Sequence, residues 1–286
     1  MNRTHFFGAH FSVAGGLENA LYRAQELNCD AAQIFTKNAR TWKDPELTRE
    51  QVTRFDNARK KTGITRIFSH CTYLINIAST EPEKLKKSVS VLRAEMARSG
   101  TLGLKGVVLH PGAHLGRGTE AGLETARSSL NAVLSLDDGW FPELLIETTA
   151  GAGTCLGSRF EEIGQLIRSL DRPEAVGVCL DTSHVFAAGY DLRTTAALNG
   201  TLDAFHRHIG MQRLKLIHAN DSIPSLGSRK DRHTHIGAGL IGRSGFGALM
   251  TDNRLKFLPV ILETPKEADG ADMDEINLNS LRELAL

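Results

Sequence analysis

The stretch Val178-Cys179-Leu180-Asp181-Thr182-Ser183-His184 has a form that recurs along the whole chain. Its short apolar run is typical of a buried β-strand and ends in a carboxylate, and a histidine follows three residues later. Many buried strands end in aspartate, so one such stretch indicates little. The repetition of the form is what makes it informative.

Six short apolar runs end in a side chain that can bind a metal ion. The closing residues are His70, His110, Glu147, Asp181, His218 and Glu263, at intervals of 40, 37, 34, 37 and 45 residues. Between the runs lie segments whose apolar residues are three or four positions apart, which is typical of helices packed on a core. Eight strand-then-helix units in 286 residues favour a (β/α)8 barrel.

The predicted fold is therefore α/β: a single (β/α)8 TIM barrel domain over residues 1–286, with a metal cluster at the C-terminal ends of its strands. A doubly wound open sheet is the alternative. The barrel is favoured because its strand ends form one ring, whereas those of an open sheet spread along an edge.

Composition limits the class of protein and its surroundings. The 34 Lys and Arg residues against 33 Asp and Glu give a net charge of +1, which argues against a surface covered in basic patches but allows a local basic rim. The four cysteines form no CxxC pair, so a zinc ribbon and a thioredoxin motif are excluded. We find neither a signal peptide nor an 18-residue apolar run, so we expect no membrane partner and a cytoplasmic location.

Three more candidate ligands follow the strand ends in the predicted loops. With His184, Asp231 and His233, the set grows to five histidines, two aspartates and two glutamates. Zinc in proteins takes three or four such ligands, so nine predict two or three ions with at least one shared carboxylate. Imidazole and carboxylate without thiolate suit catalytic Zn²⁺ or Mn²⁺.

A cluster of divalent ions at a barrel mouth indicates hydrolysis of a phosphate ester. Such ions generate hydroxide from water near neutral pH and neutralise the oxyanion that leaves. A single-metal sugar isomerase or epimerase on the same barrel is the alternative, and it needs only four ligands. The number of ligands favours hydrolysis.

Three local patterns have simpler interpretations. The segment Gly237–Gly242 matches GxGxxG, but it does not follow a strand in a first βαβ unit, so we do not expect it to bind a dinucleotide. Ser158 and Glu161 form a capping-box pattern that predicts the start of a helix. His10 closes the first strand and is expected to support the ligands from behind.

Taken together, these residues closely resemble the endonuclease IV family of apurinic/apyrimidinic (AP) endonucleases. The resemblance runs in order from about residue 8 to residue 266, nearly the whole chain. The matching segments include Gly8-Ala9-His10, Phe35-Thr36-Lys37-Asn38, Tyr73-Leu74-Ile75-Asn76, Leu109-His110-Pro111-Gly112, Asp181-Thr182-Ser183-His184, His218-Ala219-Asn220-Asp221-Ser222, Asp231-Arg232-His233 and Leu262-Glu263-Thr264-Pro265.

The resemblance implies three zinc ions per chain, with Mn²⁺ as an alternative at one or more positions. The implied ligands of the three ions are His70, His110 and Glu147; Glu147, Asp181, His218 and Glu263; and His184, Asp231 and His233. Glu147 would then be shared by two ions, which agrees with the number of ligands. Asp181 and His184 would belong to different ions.

The implied reaction is cleavage of the phosphodiester 5′ to an abasic site in double-stranded DNA, which leaves a 3′-hydroxyl, together with removal of 3′ blocking groups. Glu147, Glu263 and His110 are the implied catalytic residues. The implied DNA-reading residues, which would enter the duplex while the abasic nucleotide is flipped out, are Arg40, Tyr73 and Leu74. We expect a monomer.

Two positions depart from the family pattern, Ala39 beside Arg40 and Cys71 after His70. Both lie outside the nine ligand positions and bear only on the DNA contacts. A third possible function is a non-catalytic binder of damaged DNA with structural metal ions. It ranks last because structural zinc sites usually contain thiolates.

Overall fold

The computed structural model describes residues 5–135, 142–268 and 270–286. Its strands, numbered in chain order, are β1 (Phe6–His10), β2 (Ala31–Ile34), β3 (Arg66–His70), β4 (Gly106–Leu109), β5 (Glu143–Glu147), β6 (Val176–Asp181), β7 (Leu214–His218), β8 (Asp221–Ser222), β9 (His233–Thr234), β10 (Pro259–Leu262), β11 (Glu267–Ala268) and β12 (Ala271–Asp272). Eight of them form a closed parallel barrel in the order β1-β10-β7-β6-β5-β4-β3-β2. The predicted TIM barrel is confirmed, and β8–β9 and β11–β12 form two small antiparallel hairpins outside it.

Helices connect the barrel strands and cover the outside of the barrel. In the described ranges they are α1 (Asn19–Glu26), α2 (Arg49–Thr62), α3 (Pro82–Thr101), α4 (Thr119–Leu134), α5 (Phe160–Arg168), α6 (Thr182–Ala188), α7 (Thr195–His208), α8 (Gly242–Thr251) and α9 (Met273–Leu284), with short 3-10 turns at Pro173–Ala175 and Met211–Arg213. Their apolar faces and the outer faces of the strands share one continuous core. Each helix in the described part of the chain is too short or too polar to cross a bilayer.

The predicted capping box at the start of α5 is wrong. The helix begins at Phe160, and no side chain caps it. The Phe160 N–H donates to the Tyr190 hydroxyl at 3.1 Å, and the two rings stack with their centroids 3.9 Å apart. This tertiary contact takes the place of a local cap, whereas α2 does begin with a complete capping box.

A second, smaller apolar cluster fills the inside of the barrel. Its members are Ala31, Phe68, Val108, Leu145, Cys179, Leu216 and Ile261. In β1 the neighbouring position is Gly8, where a Cβ would lie 2.1 Å from the Ala31 carbonyl oxygen. Only glycine fits there, and the cluster forms a solid floor beneath the C-terminal mouth.

Candidate metal centre

The floor residues determine which side chains reach the mouth. Side chains two positions apart on a strand point to the same face, so the residue two positions after each floor residue also points inward. Counted from Gly8 and the seven floor residues, these positions hold His10, Gln33, His70, His110, Glu147, Asp181, His218 and Glu263. All eight barrel strands therefore contribute a polar side chain to one ring, in which ionisable groups predominate.

The first group of possible ligands joins β3, β4 and β5. Glu147 is fully buried, and its Oε2 lies 3.0 Å from His70 Nε2 and 2.9 Å from His110 Nε2. Ligands about 2.0–2.2 Å from a tetrahedral zinc ion lie about 3.3–3.6 Å from one another, so these atoms are close to coordination spacing.

The second group lies on the far side of the same carboxylate. His218 Nδ1 is 3.0 Å from Glu147 Oε1, 3.1 Å from Glu263 Oε2 and 4.0 Å from Asp181 Oδ2. All four residues offer donor atoms within 4.8 Å of one another. Glu147 thus faces two groups, one with each oxygen.

The third group lies nearer the rim. Asp181, His184 and His233 offer donors within 4.8 Å of one another. Asp231 Oδ2 is 3.0 Å from His184 Nε2, and Asp231 Oδ1 is 3.2 Å from His233 Nε2. The structure therefore brings all nine predicted ligands together, and it adds Asp181 to the neighbourhood of the third group.

Hydrogen bonds fix which nitrogen of three histidines faces the centre. A carbonyl oxygen only accepts, so His70 Nδ1 donates to the Cys71 carbonyl and His184 Nδ1 to the Thr148 carbonyl, each at 2.8 Å. When these rings are neutral, the lone pair is therefore on Nε2, which faces the centre. His218 is the reverse, because its Nε2 lies 2.8 Å from Gln33 Oε1 and its Nδ1 faces the carboxylates. Such tautomer control is typical of metal-binding histidines.

Gln33 is a site residue that sequence reasoning missed. It is fully buried, and its Nε2 donates to Glu263 Oε1 at 2.5 Å and lies 3.0 Å from His10 Nδ1. His10 Nδ1 is in turn 3.4 Å from Glu263 Oε1, so His10 supports a ligand from behind as its position predicts. The signal for Gln33 was a polar residue two positions after Ala31 inside an apolar run.

Burial and the neighbouring charges shift the pKa values of these groups in opposite directions. Burial alone would raise the pKa of Glu147, but the surrounding imidazoles, His110 first, hold it well below its usual range. Burial alone would lower the pKa of His233, yet the Asp181 and Asp231 carboxylates together outweigh it and raise that pKa to about 9. The four carboxylates therefore attract positive charge, either as protons on histidines or as cations.

The donor set fits divalent cations. Four buried or half-buried carboxylates carry four negative charges, which three divalent ions would more than offset. His233 Nε2 is buried and has no hydrogen-bond partner among the described residues, because its approach to Asp231 lacks hydrogen-bond geometry. A buried ring nitrogen without a hydrogen bond is costly unless it binds a cation.

Asp221 anchors the turn that directly follows Asp231 and His233. Its carboxylate is fully buried and accepts five backbone N–H groups, those of Ser222, Gly237, Gly239, Ile241 and Gly242, at 2.8–3.4 Å. A Cβ on Gly239 would lie 2.5 Å from Asp221 Oδ1. The backbone N–H groups of the GxGxxG segment thus bind the Asp221 carboxylate inside the protein. They are occupied there, which is a structural reason to expect no dinucleotide at this turn.

We expect Asp221→Asn to destabilise the protein by about 2–4 kcal/mol, because an amide NH₂ would face backbone N–H groups and leave them unsatisfied. Urea unfolding measures this, and Asp203→Asn, an exposed change on α7, serves as the control with an expected loss within about 0.5 kcal/mol. Equal unfolding midpoints for the two variants would contradict the anchoring role.

The predicted DNA-reading residues lie on two loops joined by a hydrogen bond, and Tyr73 lies beside the cluster. Arg40 is exposed in the loop after β2, and Leu74 is half-buried in the loop after β3. The Tyr73 side chain is 71% exposed, and its ring centroid lies 5.9 Å from that of His70 and 5.7 Å from that of Phe35. An exposed tyrosine above candidate ligands suits contact with a bound substrate.

Known proteins share this sequence and architecture. The sequence model of the family described as "Xylose isomerase-like TIM barrel" matches residues 21–284. A protein of Chloroflexus aggregans named "Probable endonuclease 4" is 41% identical, over 97% of this chain and 97% of its own length. The crystal structure of endonuclease IV from Thermus thermophilus superposes with a TM-score of 0.86 at 36% identity, over 98% of each chain. A D-tagatose 3-epimerase-like protein, at 18% identity and a TM-score of 0.74 over 98% of this chain and 96% of its own, shares the fold alone.

Proposed function

This chain belongs to the endonuclease IV family, and we propose that it hydrolyses the phosphodiester 5′ to an abasic site in double-stranded DNA, leaving a 3′-hydroxyl. The observation that carries this proposal is the set of nine donor residues in three neighbouring groups at one barrel mouth. We further propose zinc as the metal, with three ions per chain and Mn²⁺ as an alternative at some positions.

The residues that would hold the ions follow from the contacts. His70, His110 and Glu147 form the first set, Glu147, Asp181, His218 and Glu263 the second, and His184, Asp231 and His233 the third. Divalent cations held there would supply hydroxide near neutral pH and neutralise charge on the phosphate and the leaving oxygen.

The chain itself supplies position and charge. Glu147 faces two groups at once and so fixes their separation. Glu263 is held by Gln33 and His218, and its side chain is 17% exposed, so it is placed where a phosphate could approach. His110 is the most open of the ring histidines, at 37%, and is the one most able to touch substrate.

DNA recognition would use the two joined loops after β2 and β3. Arg40, Tyr73 and Leu74 are proposed to enter the duplex and hold it bent while the abasic nucleotide turns toward the metal ions. The same centre would act on a phosphate ester that blocks a 3′ end at a nick. We propose that the protein works as a monomer.

The deciding experiment combines metal analysis with a nicking assay on a duplex that carries one stable abasic analogue. We expect about three zinc ions per chain and a nick 5′ to the analogue, with an intact strand when Glu147 is changed to glutamine. Glu275→Gln, an exposed change on α9, is the matched control.

Other outcomes identify the competing functions. One metal ion per chain and no nicking would favour a sugar isomerase or epimerase. Tight binding to the abasic duplex without cleavage, at full metal loading, would favour a non-catalytic binder. The nine donors and the absence of thiolates among them argue against both.

A further inference from the structure

The loop of residues 36–47, which carries Arg40, is clamped at both ends by α3. Arg98, only 7% exposed, donates from Nε to Thr36 Oγ1 at 2.8 Å and from Nη1 to Asp44 Oδ1 at 2.5 Å. Its Nη2 donates to the buried Glu95 carboxylate at 3.0 Å, which also accepts the Thr36 hydroxyl at 2.7 Å. Thr36 and Asp44, near the two ends of the loop, thus meet on one buried guanidinium group.

Lys37 organises the middle of the same loop from inside. Its side chain is 7% exposed, and Nζ donates to the carbonyl oxygens of Thr41 at 3.2 Å and Lys43 at 3.0 Å. Asn38 Oδ1 accepts the Arg40 N–H at 2.9 Å and tightens the turn. The chain therefore wraps around a buried ammonium group, and Arg40 projects from the outside of that turn.

Thr72 ties this loop to the one that carries Tyr73 and Leu74. Its side chain is 6% exposed, and its hydroxyl donates to the Ala39 carbonyl oxygen. This hydrogen bond joins the two loops at the residues that directly precede Arg40 and Tyr73.

We infer that Lys37 is a positioning residue for DNA recognition: its buried ammonium group holds the 36–47 loop in the shape that presents Arg40 beside Tyr73. The inference rests on the proposed function. A loop that is already ordered loses less conformational entropy when DNA binds, so its binding is tighter. The ammonium group itself is buried beneath the turn and is not available to a phosphate.

The test is a double-mutant cycle of Lys37→Met and Arg40→Ala on the abasic-analogue duplex. We expect Lys37→Met to raise KM about tenfold and to change kcat less than about twofold, because it alters presentation and not chemistry. In the Arg40→Ala background the same change should raise KM less than about twofold, because two residues that act as one unit are not additive.

Salt dependence separates positioning from direct phosphate contact. Lys37→Met should leave the slope of log affinity against log salt unchanged, whereas Arg40→Ala should reduce it by about one. Lys86→Met makes the same change of charge on the exposed side of α3 and is expected to leave KM within about twofold. If Lys37→Met fails to fold, Thr72→Val removes the link to Ala39, and it should also raise KM with kcat preserved.

Each remaining outcome has a definite meaning. Additive effects of the two changes, a salt slope altered by Lys37→Met, or a fall in kcat with KM unchanged would overturn the inference. If Lys37→Met leaves KM unchanged while Arg40→Ala raises it, the role of Lys37 is overturned, but the proposed function is not. If Arg40→Ala itself leaves KM unchanged while the native protein still nicks the duplex, the proposed DNA contact of Arg40 fails, and the inference fails with it.

Discussion

Replacement of Glu263 by glutamine is expected to lower the nicking rate about a thousandfold and to weaken binding of the abasic duplex less than about threefold. Glutamine keeps the shape of the side chain but removes its charge, next to His218 Nδ1 at 3.1 Å. Loss of charge where charge develops during the reaction affects turnover most, and phosphate contacts outside the centre continue to hold the DNA.

Single-turnover rates and fluorescence-anisotropy binding measure the two quantities separately. Glu267→Gln, an exposed change in the β11 hairpin, is the matched control and should leave both quantities unchanged. Equal losses of rate and affinity in Glu263→Gln would mean that Glu263 contributes to general binding and not to the chemical step.

Removal of the three proposed metal ions is expected to lower the melting temperature by about 20 °C. A ligand at a thousand times its dissociation constant stabilises a protein by about 4 kcal/mol, so three ions contribute on the order of 10 kcal/mol. For a chain of this size each kcal/mol corresponds to about 2 °C. Without cations, the carboxylates of Glu147 and Asp181 remain fully buried among imidazoles that must take up protons to offset them.

Graded chelation should remove the ion of the third group first. Asp231 is 45% exposed and His233 is 17% exposed, whereas Glu147, Asp181 and His218 are fully buried. Metal content and melting temperature, followed together by elemental analysis and calorimetry, should therefore show a first loss with a small shift and later losses with a large one. Simultaneous loss of all ions would contradict this order.

Periodicity was sufficient to predict the barrel and the ring of polar side chains at its mouth, because each of these positions is set locally by its own strand. A residue such as Glu147 is identified by its position at the end of an apolar run, and parallel strands bring such ends together. Boundaries were less well predicted: β4 ends at Leu109 and β10 at Leu262, so His110 and Glu263 lie just beyond their strands.

Contacts between distant segments could not be predicted in the same way. Asp221 accepts N–H groups from residues 16 to 21 positions away, and no local pattern shows that a glycine-rich segment will fold back onto it. Gln33 is not a usual metal ligand, and only its position above the floor gives it a role. The single-domain organisation and the role of each ligand stay predictions.

The nine donor residues differ in how directly the barrel fixes their positions. Seven of them lie at or just after barrel strands, so the barrel itself fixes the backbone that carries them. Asp231 lies between β8 and β9, and His233 begins β9. The β8–β9 pairing, the backbone bonds of Gly227 and Arg229 to α6, and the Asp221 carboxylate behind β9 hold this segment together. In the proposed three-ion assignment, two ligands of the outermost ion come from residues 231–233 alone, so changes in this short stretch can alter the chemistry of the centre while the barrel stays constant.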